Sequence, residues 1–234
     1  MSLLSRPEYG DEARKPLLEL LPRDVSRILD IGCNRGAFGF AVKSSQNVEV
    51  WGVEPDPGCA SVARERLDRV INDVFQPSNP IPDDYFDLIT FNDSLEHMAD
   101  PTAALELAFR KLVSGGRVMC CVPNVRYVEN LEHVLFEKDW RYEMSGIRDQ
   151  THLRFFTEKS VVRLIQETGF EVIKTTGINP EWWSTAHLLR RIVFRLFPDF
   201  TKDMRHKQIV VLARRPSDSG GTPIRRGTVS PPLP

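Results

Sequence analysis

A glycine-rich stretch near the start of the chain, residues 28–39 (ILDIGCNRGAFG), has the residue types and spacing of a ligand-binding turn. An apolar run leads into Gly32 and Gly36 and a helical pattern follows, a layout that brings backbone close to a bound molecule. Asp30 stands just before these glycines. A carboxylate there repels the pyrophosphate of a dinucleotide but can hold the α-ammonium group of S-adenosylmethionine, which carries no phosphate. Asp30 therefore favours the sulfonium cofactor.

Two further carboxylates could hold the adenosine part of such a ligand. Glu54 ends the second predicted strand, where a carboxylate can accept hydrogen bonds from both ribose hydroxyls. Asp73 follows the third predicted strand and could accept a hydrogen bond from the adenine amino group, while the Val74 amide meets a ring nitrogen. Nicotinamide enzymes also hold ribose with a carboxylate, so Glu54 supports adenosine without separating the two classes.

His152, between residues 149 and 157 (DQTHLRFFT), is the predicted general base. Imidazole titrates near neutrality and can take the proton of a neutral hydroxyl acceptor. Asp149 could orient the ring and Arg154 could hold an anionic acceptor, while His97 is the alternative base. An amine or an ionised phenol needs no base, and in that case His152 only holds its loop.

Short apolar runs alternate with helical patterns through most of the chain, which predicts a doubly wound, largely parallel α/β sheet. Several runs are continuously apolar, as in strands that are covered on both faces. The adjacent Cys120 and Cys121 should point to opposite faces of one strand. The predicted strands are 27–31, 48–53, 68–71, 86–91, 117–122, 171–176 and 208–213, and the predicted helices are 12–21, 37–44, 57–66, 101–112 and 158–168.

Two segments, 124–150 and 179–207, interrupt this alternation and are expected to cover the acceptor pocket of a domain that spans residues 1–215. The second contains Trp182 and Trp183 and then an amphipathic helical pattern up to Phe197. Its arginines allow contact with a membrane surface, which is not the favoured interpretation. The tail, 216–234, is rich in Ser, Gly, Pro and Arg and is predicted to be disordered.

Composition narrows the classes of partner. The 234 residues carry a formal net charge of −1, so no basic field argues for nucleic acid. No apolar run approaches the roughly 20 residues of a membrane span, and the N-terminus lacks the pattern of a secretory leader. The four cysteines form no CxxC pair and no zinc-like grouping with histidine. We therefore expect a reduced, cytoplasmic protein without a metal site, of open oligomeric state.

In order and spacing, motifs from about residue 27 to 170 resemble the class I S-adenosylmethionine-dependent methyltransferases, in the group that includes small-molecule and quinone O-methyltransferases. The fold that this resemblance implies is a Rossmann-like doubly wound sheet, mostly parallel with an antiparallel last strand and helices on both faces. Asn34 replaces the usual middle glycine, and Ser114 replaces a common proline. The motifs are LDIGCNRG, GVEPD, NDV, IPDDYFDLITFNDSLEHMADP, LVSGGRVMCCVPN and DQTHLRFFTEKSVVRLIQETGF.

The resemblance also implies how the cofactor is held. The glycine turn would line the methionine part, the acid after the second strand the ribose, and the residues after the third strand the adenine. The end of the fourth strand would lie beside the sulfonium, and an N-terminal tyrosine and arginine would lie over the cofactor. The residues implied are Asp30, Gly32, Cys33, Asn34, Gly36, Glu54, Pro55, Asp73, Val74, Asn92, Asp93, Tyr9 and Arg14.

Three other functions share part of this sequence pattern. A nicotinamide-dependent oxidoreductase should have a fuller GxGxxG and no Asp30. A non-catalytic regulator or partner subunit that binds S-adenosylmethionine is the main alternative, although degenerate versions usually lose the acid or the turn. A nucleic-acid methyltransferase is disfavoured because residues 92–95 (NDSL) lack the Asn/Asp-Pro-Pro-aromatic motif. The acceptor is expected to be a small or lipid-linked metabolite, since GIRDQTHLRFFT resembles enzymes linked to cell-envelope glycan synthesis.

Overall fold

The computed structural model describes residues 13–180 and 188–217. Seven strands form one sheet in the order β3-β2-β1-β4-β5-β7-β6. The first five strands pair in parallel, and β7 runs antiparallel to both of its neighbours. The predicted Rossmann-like sheet with an antiparallel last strand is therefore confirmed. The strands are β1 (Arg27–Ile31), β2 (Glu49–Val53), β3 (Arg69–Ile71), β4 (Phe86–Asn92), β5 (Leu112–Pro123), β6 (Glu171–Pro180) and β7 (His206–Arg214).

Helices lie on both faces of this sheet, because successive strand side chains point to opposite sides. On one face, α4 and α6 pack through residues such as Leu105 and Val161, and on the other α1 and α2 pack through Leu17 and Phe38. Cys120 belongs to the first core and Cys121 to the second, as expected. The helices are α1 (Lys15–Leu18), α2 (Ala37–Ser45), α3 (Pro57–Ala63), α4 (Pro101–Lys111), α5 (Val128–Glu132), α6 (Glu158–Glu167), α7 (Leu188–Leu196) and α8 (Pro198–Thr201).

The helix starts follow local chemistry. Asp56 and Asp100 cap α3 and α4 by accepting hydrogen bonds from Cys59 N at 2.7 Å and Ala103 N at 3.0 Å. Helix α1 begins at Lys15, later than the predicted 12–21, because Arg14 takes a left-handed backbone at φ 48° that a helix cannot continue through. It also ends earlier, at Leu18. Residue 12 lies outside the described residues.

Strands β5 and β6 are longer than predicted, and pairing with neighbouring strands is the reason. At its start, β5 pairs with β4 through Leu112, which lies opposite Phe86. β7 bonds along β5 as far as Pro123 and along β6 as far as Pro180. The chain beyond the apolar runs is thereby drawn into strand by pairing rather than by its own composition.

The two segments that interrupt the alternation pack on each other. In 124–150, α5 continues into a wider helical turn, His133–Glu137, and 179–207 contains α7 and α8. Tyr127 and Val128 of the first segment share a small core with Phe194 and Met204 of the second. Trp182 and Trp183 lie outside the described residues, as do Tyr9 and most of the tail. In the described part of the chain, no helix is long and apolar enough to cross a membrane.

Candidate active site

The glycine turn after β1 is held in a left-handed backbone that few residue types adopt. Gly32, Asn34 and Gly36 have φ values of 76°, 49° and 74°. A Cβ on Gly32 would come within 2.9 Å of Ser94 Cβ, so the turn approaches the end of β4 as closely as only glycine allows. The departure at Asn34 is accommodated, because asparagine tolerates this backbone better than most residues.

Asp30 lies in the middle of the sheet, opposite Thr90 in the register of β1 and β4. Its Oδ1 accepts hydrogen bonds from Thr90 Oγ1 at 2.6 Å and Asn92 Nδ2 at 3.1 Å. Burial raises the pKa of this carboxyl to about 6, against the lowering effect of the Thr90 hydroxyl. The sheet order reverses between β1 and β4, which is where ligands bind in open α/β sheets. A cation here would compensate a buried anionic charge.

Glu54 joins the glycine turn to the end of β2. Its Oε2 accepts a hydrogen bond from Asn34 N at 2.8 Å, and its Oε1 accepts one from Asp56 N at 2.9 Å. Burial raises the pKa of Glu54, and these two backbone hydrogen bonds oppose the rise. Each carboxylate oxygen retains lone pairs, so the group can still accept hydrogen bonds from a ribose.

Asp73 and Val74 are already bonded to each other and to the loop after β3. Asp73 Oδ1 accepts from Val74 N at 2.8 Å, and Oδ2 accepts from Gln76 Nε2 at 2.7 Å and Asn79 Nδ2 at 3.0 Å. An adenine ring that used the Val74 amide would have to replace one of these bonds. The adenine assignment stays a prediction.

Cys33 and Pro55 offer little polar chemistry to a ligand. The Cys33 side chain is buried in the core, its amide donates to Val53 O at 3.1 Å, and its carbonyl accepts from Gly36 N at 2.8 Å. Pro55 is exposed, and its carbonyl accepts from Asn72 Nδ2 at 3.0 Å. Both can touch a cofactor by van der Waals contact, and their place in the site stays a prediction.

The end of β4 presents polar atoms that lack partners among the described residues. Asn92 Oδ1, Asp93 Oδ1 and Ser94 Oγ are buried and accept or donate no hydrogen bond there. They follow Thr90 along the strand edge that faces the glycine turn. Buried polar atoms normally find partners, so this edge fits the amino-acid part of S-adenosylmethionine, which can supply donors.

Arg14 reaches this edge from the N-terminal side. Its guanidinium forms an ion pair with Asp93 Oδ2, to which Gln208 Nε2 also donates. Asp93 has a left-handed backbone at φ 51°, which turns its side chain off the strand. The structure thus pairs Arg14 with Asp93, the residue after Asn92, and their positions around a cofactor stay a prediction. Sequence reasoning missed Gln208.

A cleft of about 480 Å³ begins beside Asp93. Its walls come from the end of β4, from β5, and from both interrupting segments. The lining residues include Asp93, Glu96, Ile147, Asn179, Lys207 and Gln208. The cleft is large enough for a small molecule, and it lies at the strand ends where a cofactor held by β1 and β4 would present its methyl group.

Glu96 is the functional candidate that sequence reasoning missed. It is 1% exposed, lines the cleft, and lies on a short 3-10 turn, Leu95–His97, directly after β4. Among the described residues its two carboxylate oxygens have no hydrogen-bond partner. Burial, and then the charge of Asp93, raises the pKa of Glu96 well above its usual value. In the sequence, the feature that could have identified Glu96 is an acidic residue shortly after the fourth predicted strand, at the edge of the sheet where ligands bind.

His152 lies against Glu96, with His152 Nε2 at 3.9 Å from Glu96 Oε1. Its Nδ1 contacts Ile147 O at 3.1 Å, and its ring packs edge-on against that of His97, with centroids 4.8 Å apart. Burial, and then the nearby His97, lowers the pKa of His152. A neutral ring is therefore favoured, with the Nε2 lone pair towards Glu96.

Asp149 and Arg154, the two residues predicted to assist His152, also hold the loop around it. The Asp149 carboxylate accepts from Thr151 N at 2.8 Å and Thr151 Oγ1 at 2.7 Å, and its carbonyl accepts from His152 N at 3.0 Å. Its role in orienting the ring stays a prediction. Arg154 donates to the carbonyls of Leu153 and Ala99. Arg154 therefore braces its own loop, because a guanidinium beside two backbone carbonyls satisfies them locally.

Known proteins are similar to this chain in sequence and in fold. A family model described as a methyltransferase domain matches residues 6–175. A ubiquinone biosynthesis O-methyltransferase of Cereibacter sphaeroides is 27% identical over 186 residues, which cover 76% of this chain and 74% of that protein. An uncharacterised methyltransferase of Schizosaccharomyces pombe is 28% identical over 136 residues, and this match spans 52% of the chain but only 47% of the relative.

Among solved structures, a SAM-dependent methyltransferase of Archaeoglobus fulgidus superposes with a TM-score of 0.63, over 86% of this chain and 91% of that one. At 17% identity this likeness shows the fold alone. The matched family model, however, spans well over half of the 234 residues. The chain therefore belongs to the class I S-adenosylmethionine-dependent methyltransferases, enzymes whose cofactor is S-adenosylmethionine.

Proposed function

We propose that this protein transfers the methyl group of S-adenosylmethionine to a hydroxyl oxygen of a small molecule bound in the cleft. The observation that carries the proposal is the position of Glu96 and His152 beside a cleft that starts at Asp93. A neutral hydroxyl needs help in losing its proton, whereas an amine does not. A relative that is an O-methyltransferase supports the same choice of acceptor atom.

The cofactor is proposed to lie across the ends of β1, β2 and β4. Asp30, Gly32, Asn34 and Gly36 hold the methionine part, with Cys33 in contact, and Glu54 with Pro55 meets the ribose. Asp73 and Val74 meet the adenine, and Asn92 and Asp93 lie beside the sulfonium with Arg14 over them. The partnerless oxygens at the end of β4 and the buried charge of Asp30 support this placement.

Methyl transfer is an in-line displacement at carbon. A lone pair of the acceptor oxygen forms the new O–C bond while the C–S bond breaks, and its electron pair stays on sulfur. The oxygen gives up its proton to a base, for which His152 is the sequence-predicted candidate. Positive charge on sulfur disappears, so alignment and exclusion of water supply most of the acceleration.

The interrupting segments, 124–150 and 179–207, are proposed to cover the acceptor. Ile147 from the first and Asn179 and Lys207 from the second line the cleft. Ion pairs between Arg190 and Glu132 and between Arg126 and Asp203 hold the segments to each other, the latter at 2.6 Å. Their shared small core makes them one cover that excludes water.

A lipid-linked acceptor is the second candidate, and one feature favours it. Leu196, Phe197 and Phe200, on and between α7 and α8, are more than half exposed, at 65%, 58% and 62%. Exposed apolar side chains beside arginine are suited to the edge of a lipid layer. Faster methylation of an acceptor in anionic vesicles than in detergent-free buffer would support it.

The test of the main proposal is label transfer. The protein is incubated with S-adenosylmethionine labelled in its methyl group and with small molecules extracted from cells, and products are identified by mass spectrometry. We expect label in an ether-linked methyl that survives mild base. Cofactor binding without transfer to any small molecule would instead favour a non-catalytic regulator, and label on nitrogen would refute the acceptor atom.

A further inference from the structure

Three side chains that the proposed cofactor site does not use converge at one wall of the cleft. Glu96, His97 and His152 each offer one ligand atom, and these atoms all lie within 4.8 Å of one another. A tetrahedral ion with bonds of about 2.0–2.2 Å needs ligand atoms roughly 3.3 Å apart. The three atoms would therefore have to approach one another by up to roughly 1.5 Å to share one ion.

Glu96 supplies the observation that points to a cation. Its side chain is buried, and among the described residues neither carboxylate oxygen has a hydrogen-bond partner. Its backbone carbonyl accepts hydrogen bonds from Leu153 N at 2.8 Å and Arg154 N at 3.0 Å, which fix the backbone of Glu96 against the loop that carries His152. An unpaired buried carboxylate is costly, and a bound cation removes that cost.

The two histidines are oriented as metal ligands usually are. His152 Nδ1 is 3.1 Å from Ile147 O, and His97 Nδ1 is 3.2 Å from Thr151 O. Because a carbonyl only accepts, each Nδ1 carries the proton and each Nε2 keeps a lone pair. A second hydrogen bond from the far ring nitrogen to a carbonyl is the common support of metal-binding histidine.

We propose that Glu96, His97 and His152 bind a divalent cation of the Zn²⁺ or Mn²⁺ type at the wall of the cleft. Two imidazoles and one carboxylate match the ligand set of catalytic zinc sites, which keep a position open. Asp93, with one buried oxygen that lacks a partner among the described residues, lines the same cleft. The proposal that a cation binds here does not depend on the proposed function. Only the role of the cation in methyl transfer, given next, rests on it.

The open position of the cation faces the cleft, because Glu96 lines it. A hydroxyl oxygen of the acceptor that occupies this position would lose its proton to water more easily, since a bound cation lowers the pKa of its oxygen ligand. In this role His152 holds the ion and does not itself accept the proton, because its single Nε2 lone pair cannot do both. The pattern of cysteines and histidines in the sequence predicts no metal site, because His152 lies far along the chain from Glu96 and the two meet only in the folded protein.

The test is metal binding by the full chain, read without activity. Protein stripped with a chelator is titrated with Zn²⁺, and with Co²⁺ for its visible absorption, and bound metal is counted by mass spectrometry. We expect one ion per chain with a Kd in the micromolar range or tighter. Glu96→Gln and His97→Ala should weaken binding at least tenfold, and the matched control His133→Ala, outside the cluster, should not.

Cofactor affinity, measured by calorimetry, shows that each variant is folded. Equal metal binding by the wild-type protein and both cluster variants, or no stoichiometric ion in the wild type, overturns the site. If one ion binds per chain but methyl transfer is still complete after chelation, the metal site is supported and its role at the hydroxyl is overturned. If no label is transferred either with or without bound metal, the proposed function is refuted, whereas the result on metal binding still holds.

Discussion

The charge of Asp30 can be tested through the pH dependence of cofactor binding. The carboxyl has a pKa of about 6 against an ordinary 3.8, and the α-ammonium of an amino acid keeps its proton to about pH 7.7. Between about pH 5 and 7, Asp30 is therefore the member of the pair that titrates. If only the carboxylate binds the ammonium, affinity is constant near pH 7 and falls below about pH 6, reaching roughly a tenfold loss at pH 5.

The stability of the cofactor-free fold should depend on pH in the opposite direction from cofactor affinity. Because the folded carboxyl binds its proton more tightly than the unfolded one, the folded state takes up protons between about pH 4 and 6, and stability falls as pH rises through this window. A difference of two pKa units corresponds to about 3 kcal/mol. Asp30→Asn should therefore raise the melting temperature of the cofactor-free protein at pH 7 while it weakens cofactor binding.

The assay is isothermal titration with S-adenosylmethionine from pH 5 to 7.5, for the wild type, Asp30→Asn and the exposed control Asp139→Asn. Asp30→Asn should bind at least about tenfold more weakly at pH 7, since hydrogen bonds to charged groups contribute about 1.5–3 kcal/mol, and its profile should be flat. Thr90→Val removes the hydroxyl that stabilises the carboxylate, so its midpoint should move to higher pH. A flat wild-type profile, or an unchanged profile in Asp30→Asn, would refute the assignment.

Three further predictions follow from the same geometry. Glu54→Ala should weaken cofactor binding, measured by calorimetry, by about 2–4 kcal/mol, because two charged hydrogen bonds to ribose are lost. The exposed control Glu65→Ala should leave cofactor affinity unchanged. Equal affinities of Glu54→Ala and the wild type would remove Glu54 from the site. Gly32→Ala should lower the free energy of unfolding by about 1–3 kcal/mol in urea, because its Cβ meets Ser94 at 2.9 Å and φ is positive; unaltered stability would contradict the close approach. Replacing residues 181–205 with a short linker should leave cofactor affinity intact and abolish methyl transfer, and loss of folding would show that this segment belongs to the core.

Much of the cofactor site could be predicted because its signals are local. The glycine turn is a matter of backbone conformation at Gly32 and Gly36, and the chain itself carries the residues that allow it. The acids at strand ends, Asp30 and Glu54, follow from the period of the apolar runs, since parallel strands all end at the same edge. Their hydrogen-bond partners could not be predicted. Thr90 reaches Asp30 through the register of β1 against β4, and the Asn34 amide reaches Glu54 through the conformation of the glycine turn.

The residues around the cleft proposed to hold the acceptor could not be predicted without the tertiary structure. Arg154 was predicted to hold an anion, yet its guanidinium is used by local carbonyls. Pairing with β7 carries β5 to Pro123 and β6 to Pro180, and both of these prolines line the cleft.

Local pattern alone predicted the alternating strands and helices, a largely parallel sheet and the glycine turn proposed to hold the cofactor, because backbone sterics and burial periodicity act over a few residues. The antiparallel last strand followed from the resemblance to a known family. The meeting of Glu96 with His152 was decided only by tertiary structure. It joins the end of β4 to a loop between β5 and α6, and a contact between segments so far apart in the chain leaves no periodicity for a single sequence to display.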